Sequence, residues 1–432
     1  DDSPDGPAKV VLDGFTVPKA NHHNFANGLR WGPDGWLYGR CGASAPGMIG
    51  IPGTPKTERI PLRGGIWRFH PTRQVYETLN CGLTNPWGHD WDQHGELFFV
   101  NTVNGHLWHH ITGAHFKRGT SIDPNPHVYE LIGQHADHFH FDTKGSWTKS
   151  RDGAANDFGG GHCHIGAMIY QADNWPKEYR HRLFTLNQHG RRANQEILER
   201  RGSGYVAKHT DDILISGDPF FRAIDLTTGP DGGVYIIDWS DIGECHENSG
   251  VHRNSGRIFK VTHRDAMKSG SDKLPANASE KELAAAQFST NAWHARMAKL
   301  ELASRKASGQ ALPFLRNQLE NGANTHRLRS LWTIHGLGAT TENSINQLLS
   351  DPDAHSRVWA LRLITDRWPL DTVLSERPPR PEATNQVREQ LSDLKSLAAN
   401  DPSPMVRLAL ASTLQRLPVK LRAELAVPLV RH

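Results

Sequence analysis

The alternation of apolar and polar positions changes character once along the chain. Up to about residue 263, apolar residues come in short runs bounded by Gly, Asn and Asp, the pattern of strands separated by tight turns. Three segments share one design. Trp31–Tyr38, Asp92–Phe99 and Gly229–Ile236 each set a turn ahead of an aromatic or β-branched run, which predicts a turn feeding a strand. Gly65–His70, Gly166–Tyr170, Leu183–Asn187 and Arg257–Val261 supply further strands. Many short strands with a recurring turn-plus-strand unit predict a β-propeller, in which radial repetition protects the sheet edges. The units are irregularly spaced: 60 residues separate Gly35 from Gly95 and 137 separate Gly95 from Gly232. The propeller, residues 1–263, is therefore expected to be incomplete and of the six-bladed type, its first blades lying upstream of Asp1.

Residues 264–280 are polar and read as a linker, with Ser279 and Glu282 spaced as a capping box for the next helix. From Lys281 the period becomes helical. Trp293, Met297 and Leu300 repeat at i, i+4, i+7, and Leu328, Leu331, Trp332 and His335 do so at i, i+3, i+4, i+7. Val387, Leu391, Leu394 and Leu397 follow, then Val406, Leu410, Leu414 and Leu417. Two helix starts resemble each other, Asp351–Val358 and Asp401–Leu408. In each, Asp is expected to cap the helix, Pro to follow at the first helical position, and Arg stands six residues after the Asp. Recurrent helix pairs of this kind predict a HEAT-like α-solenoid over residues 281–432, cut short at His432.

Composition agrees with the division at residue 263, since residues 1–263 hold 35 of the 40 Gly, 21 of the 26 His and 9 of the 13 Trp. With 37% hydrophobic and 22% charged residues the chain can bury a core. A formal net charge of +3 offers no field for non-specific binding to nucleic acid or a membrane surface. No apolar run reaches the roughly 18 residues that a membrane crossing needs. The four Cys are widely spaced, with no CxxC pair and no CxxCH haem attachment. Phosphate-cradling glycine loops and a GxSxG elbow are missing too.

The densest polar constellation lies between Gly159 and Arg257. His162 and His164 stand two apart; on a strand both imidazoles share one face, with Cys163 on the other. Such a pair binds a metal, forms an acid–base couple, or lines a polar channel through water. After a predicted strand, Asn187–Asn194 brings His189, Arg191, Arg192 and Asn194, suited to an anionic or polyhydroxyl ligand or to a turn whose Arg residues pair with carboxylates. Asp238–Glu247 gathers Asp238, Asp241, Glu244 and His246, oxygen-rich enough for Ca²⁺ or for a general base, and His252 and Arg253 follow. His135, His138 and His140 lack helical spacing and read as loop surface.

Several segments together resemble one family. They are Asn27–Gly39, the stretch through His162 and His164, Gly202–Tyr205, Asp238–His246, His252–Ile258 and the helical Asn291–Arg296. They are similar to the PVC-type haem-binding proteins, whose members are labelled membrane-bound dehydrogenases. The resemblance implies an exported, periplasmic propeller related to soluble quinoprotein sugar dehydrogenases. HEAT repeats and a c-type cytochrome module would follow, the latter outside this chain. It implies oxidation of a sugar or alcohol, a quinone cofactor with Ca²⁺ held by Asp238, Asp241, Glu244 or His246, and electron transfer to haem c in that module. His162, His164 or His189 would take the hydroxyl proton and Arg191 would orient the substrate, with His89, Arg192, Asn194, His252 and Arg253 around it. One departure stands out. The sugar dehydrogenases carry a Gly-His-Arg-Asn-Pro motif with a catalytic His, whereas Gly82–Pro86 here has Leu83 at that place. The alternative reading is a non-catalytic propeller that binds a glycan or a protein, with the helical array as scaffold.

Overall fold

In the computed structural model, the strands fall into small antiparallel sheets joined in chain order. Residues 4, 6–20, 22–102, 105–117, 128–139, 160–161, 163–243, 254–264, 277–307, 309–370 and 383–432 are described. The first sheet holds β1 (Asn27–Trp31) and β2 (Leu37–Cys41). A small arm, β3 (Gly47–Ile49) paired with β4 (Ile60–Leu62), interrupts it before β5 (Gly65–His70) and β6 (Val75–Thr78) complete it. The second is β7 (Pro86–Trp91), β8 (Leu97–Asn101) and β9 (Leu107–His109). The third runs β10 (His164–Ile169), β11 (Leu183–Asn187), β12 (Arg192–Arg201) and β13 (Gly204–Ile215), and the fourth β14 (Ala223–Thr228), β15 (Val234–Asp238) and β16 (Arg257–Val261). Each of the four is an up-and-down meander, the shape of a propeller blade, and none closes into a barrel. The β8 and β11 strands are buried along their whole length, which is why their sequences are near-continuous apolar runs.

The first strands of the meanders lie together. Gly88 of β7 backs onto the Gly166–Ala167 backbone of β10, where a Cβ would approach to 2.5 Å. Arg30 of β1 donates to Ala167 O of β10 and Leu226 O of β14, and stands 3.8 Å from Asp90 of β7. One guanidinium therefore ties four sheets at their inner edge.

The three similar sequence segments occupy one place in the fold. They form the hairpin tips of β1–β2, β7–β8 and β14–β15, each closed by the same two main-chain bonds, for example Gly95 N to Asp92 O and Asp92 N to Glu96 O. Gly35, Gly95 and Gly232 sit at φ of 84°, 76° and 76°, the left-handed conformation the turn requires.

These tips are covered by helices. They are α1 (Glu280–Ala286), α2 (Ala292–Ser304), α3 (Ala311–Asn321), α4 (Asn324–Gly336), α5 (Glu342–Gln347), α6 (Ala354–Thr365), α7 (Ala383–Asn400), α8 (Pro404–Thr413) and α9 (Val419–Leu429). Lys299 of α2 donates to Gly32 O and Pro33 O, Trp359 Nε1 of α6 to His94 O, and Asn291 Nδ2 to Gly229 O and Pro230 O. Beneath them runs a buried ionic network. Arg68 contacts Asp34, Glu77 and Asp366 at 2.8, 2.7 and 3.0 Å, and Arg416 forks onto Glu77 at 2.9 and 2.8 Å. Burial alone would raise the Glu77 carboxyl, but Arg416 and Arg68 outweigh it and hold it at about 2.

Two helical expectations need correction. On α2 the buried face is Ala292, His294, Ala295, Ala298 and Leu302, while Met297 is exposed. Ala298 and Leu302 pack with α1, α3 and α4, which leaves Trp293 and Leu300 half-buried and Met297 outward. The Asp351 and Asp401 carboxylates do not cap α6 and α8. The cap of α6 is Asp353, and Ser403 precedes Pro404 at the start of α8. Asp351 and Asp401 instead close the preceding turn by accepting from the Asp353 and Ser403 amides. The Arg six residues on donates to the main-chain oxygen of its own Asp, Arg357 to Asp351 O and Arg407 to Asp401 O. Arg357 also forks onto the Asp401 carboxylate, linking one unit to the next. The Ser279–Glu282 capping box forms as expected.

Candidate functional site

The site grows out of a strap laid between two meanders. Residues 134–138 pair on one side with β9, through His135 N to Leu107 O, and on the other with β13, through Ala207 N to His135 O and Asp137 N to Ala207 O. Gln134 fixes both ends of the strap. Its Oε1 accepts from His106 N, and its Nε2 donates to Ala136 O and His138 O. His106, His138 and Glu196 are thereby brought together from β9's approach, the strap and β12.

Their geometry is close. Glu196 Oε1 lies 2.9 Å from His106 Nε2 and 3.8 Å from His138 Nε2, and one donor atom from each of the three residues falls within 4.8 Å of the others. Glu196 and His106 are both 0% exposed. A carboxylate so deep needs compensating partners, and two imidazoles face it. His138 Nδ1 donates to Asp137 at 2.8 Å, which turns Nε2 toward Glu196. Burial pulls the His138 imidazole down, but the bonds to Glu196 and Asp137 raise it above its ordinary value. Its neighbour His209 stacks edge-on at 5.3 Å and is lowered by burial, against the pull of Glu196 and Asp212. The ring of His164 lies 6.3 Å from that of His106.

Several of the sequence-predicted residues join this cluster. His164 opens β10 beside His106, fully buried. Arg192 and Asn194 on β12 both bond Asp212, at 2.9 and 2.5 Å, and His209 lies 3.6 Å from the same carboxylate. His189 is buried in the turn before β12, packed against Gly161. Arg191, in that turn, is half-buried at φ 50°. Elsewhere, His89 is buried on β7 and accepts from Arg40 at 3.1 Å; burial and then Arg40 hold it well below the ordinary imidazole value. Asp238 uses one oxygen for the Arg222 and Ser240 amides and the other for Arg257, and Asp241 accepts from the Ile242 and Gly243 amides. Among the described residues, these two carboxylates brace the β14–β16 meander rather than converge on an ion. His162, Glu244, His246, His252 and Arg253 lie outside the described residues.

The reading of His138 as loop surface does not hold: its side chain is 9% exposed and reaches Glu196. His106, Glu196 and His209 went unnoticed in the sequence. A signal for two of them was present. The β12–β13 hairpin turns at Gly202, and counting outward from Arg201 and Gly204 sets Glu196 opposite His209.

A second polar cavity of about 110 Å³ lies between the hairpin tips and the helices, lined by Asp34, Arg68, Glu96, His109, Arg362 and Asp366. There the carboxylates are matched by guanidinium groups, Arg362 forking onto Glu96 at 3.0 and 2.8 Å. Arg362 and Arg68 here hold sheets to helices, and His109 bonds Glu96 within its own meander at 2.7 Å.

A family model covers residues 1–265, more than half of the chain, and is described as a domain of unknown function, DUF7133. The chain belongs to the DUF7133 family. No curated protein matches it. Among solved structures this DUF7133 chain is similar to a protein from Thermus thermophilus described as an oxidoreductase (glucose dehydrogenase). The TM-score is 0.38 and the identity 19%, over 59% of this chain and 69% of that one. It is also similar to the PQQ-bound aldose sugar dehydrogenase of Streptomyces coelicolor, with TM-score 0.34 and 17% identity over 55% and 62% of the two chains. A luciferin-regenerating enzyme gives 0.31 and 11% over 57% and 64%. The chain thus spans less than two thirds of the latter two structures. Among the described residues no helix is long and apolar enough to cross a membrane.

Proposed function

We propose that this DUF7133 chain is the substrate-handling part of a periplasmic oxidoreductase of the PVC-type haem-binding group. A sugar or related alcohol binds at the polar mouth of the propeller and gives its hydroxyl proton to the Glu196 cluster. The observation that carries the reading is Glu196 itself, fully buried and 2.9 Å from His106 Nε2. A buried carboxylate fixes the orientation of the imidazole it bonds and stabilises the imidazolium formed when that ring takes a proton. His164 stands beside His106 as a second imidazole, and Asp212, held by Arg192 and Asn194, positions His209.

The residues do not fit the quinone arrangement of the sugar dehydrogenases. Leu83, at the place of their catalytic His, is 1% exposed and packed with Trp36, Tyr38, Ile66 and Leu79. Nor do the described carboxylates fit Ca²⁺, because Asp238 is committed to Arg257 and main-chain amides. The hydride that leaves the hydroxyl-bearing carbon as the proton goes to the cluster is therefore assigned to a two-electron acceptor outside these residues, from which a c-type haem module downstream would take the electrons one at a time. The helices are read as a HEAT-like scaffold, supported by the Asp351 and Asp401 turns that Arg357 and Arg407 close in the same way.

The buried Leu83 favours a second reading, a non-catalytic glycan- or protein-binding propeller. Dye reduction across a panel of sugars and alcohols separates the two, using the full-length periplasmic protein both as purified and with pyrroloquinoline quinone and Ca²⁺ supplied. Turnover that falls about 100-fold or more in His106→Ala is the expected result. No turnover with any substrate, together with no bound cofactor in the absorption spectrum, sinks the oxidoreductase reading and leaves the binding one.

A further inference from the structure

We propose that His106, His138 and Glu196 bind a divalent first-row transition metal ion, of the Zn²⁺ or Fe²⁺ kind, through two imidazole nitrogens and one carboxylate oxygen. The proposal concerns the cluster just described and holds whether or not the chain oxidises an alcohol.

Three observations support it. The first is the donor set and its span. One ring nitrogen of His106, one of His138 and a Glu196 oxygen fall within 4.8 Å of one another. That is close to what one ion bridges when its bonds to N and O run about 2.0–2.2 Å, so small side-chain adjustments close the site. Two nitrogens and one oxygen suit borderline cations, whereas Ca²⁺ and Mg²⁺ prefer all-oxygen shells. The second is the outer shell. His138 presents Nε2 because its Nδ1–H is held by Asp137 at 2.8 Å, the carboxylate–imidazole relay that orients metal-bound histidines. The third is rigidity. The strap carrying His138 is bonded to β9 and β13, and the His106 amide is bonded to Gln134, so the ligands stay in place without an ion to organise them. His164, next to His106, and His209, next to His138, flank the three.

The competing description is a metal-free, hydrogen-bonded His–Glu–His group. The full-length chain, purified without added metal, is analysed by plasma mass spectrometry. It is then stripped with a chelator and titrated with Zn²⁺, and with Co²⁺ monitored by its visible ligand-field absorption. About one ion per chain is expected, with visible bands on Co²⁺ addition and a rise in melting temperature when Zn²⁺ is restored. Glu196→Gln, close in shape to the native residue, should abolish the Co²⁺ bands. Asp137→Asn, which touches no metal, should weaken Zn²⁺ binding about 10–100-fold. His94→Ala, far from the cluster, should bind as wild type. No metal above background, with no Co²⁺ bands in a folded wild-type chain, overturns the proposal, as do unchanged bands in Glu196→Gln. Metal without turnover on any sugar keeps this site and removes the oxidoreductase reading. Turnover in a metal-free, chelator-resistant enzyme does the reverse.

Discussion

Two regions of the molecule bury carboxylates equally well and treat them oppositely. Between the hairpin tips and the helices, Glu77 and Asp366 are locked by Arg68, Arg73 and Arg416, and Glu96 is shared between Arg362 and the His109 imidazole. In the β9–β12 cluster, Glu196 faces imidazoles. Guanidinium groups stay charged at any working pH and fix the carboxylates in a rigid fork, so the first region is a clasp. Imidazoles exchange protons and bind metals near neutrality, so the second region keeps its chemistry available. Burial of charge alone therefore does not mark a functional site; the identity of the partner does.

The largest test of this contrast removes one cation from the clasp. Arg68→Met leaves Asp34, Glu77 and Asp366 short of a partner and should cost about 3–5 kcal/mol, read as a fall in the urea midpoint. A smaller effect is expected at a hairpin tip. Gly95→Ala drives a methyl to within 2.5 Å of the Trp359 ring at φ 76°, and should cost about 1–3 kcal/mol in the same measurement. Next comes acid. Glu77 sits at about 2 in the folded chain against 4.5 when free, so its contribution is complete above pH 4.5 and drains away as the pH falls toward 2. Urea midpoints at a series of pH values should drop through that window, and less steeply in Arg68→Met. The smallest stability effect belongs to Glu196→Gln compared with wild type in the metal-free state, about 1 kcal/mol by thermal melting, the order of one hydrogen bond. A loss there as large as that of Arg68→Met would erase the distinction between clasp and site.

The local architecture was legible where it depended on neighbours in sequence. The turn units, the strands Gly65–His70 and Leu183–Asn187 and the Ser279 cap were all readable, because turn chemistry and alternation decide them. What the turns are for was not, since the helical residues that cover them lie 61 to 267 residues further along the chain. The α2 face was misjudged because its buried side is set by packing on α1, α3 and α4, which places Ala298 and Leu302 inward and leaves Met297 exposed. At the site, His164, Arg192 and Asn194 were foreseeable as polar groups on or beside strands. His138 was not, because its burial comes from a strap that bridges two meanders, a pairing no local pattern announces.

The hairpin tips have one more property. Lys299, Trp359, Asn291 and His294 all donate to carbonyl oxygens of the turns, not to turn side chains. A contact of this kind asks only that the main chain fold the same way. Gly-Pro-Asp-Gly and Asp-Gln-His-Gly can thus occupy equivalent tips under the same helical cover. These four main-chain contacts survive a change of turn side chain, whereas the pairing of Arg362 with Glu96 and the stacking of His355 on His94 tie the β7–β8 tip to its own sequence.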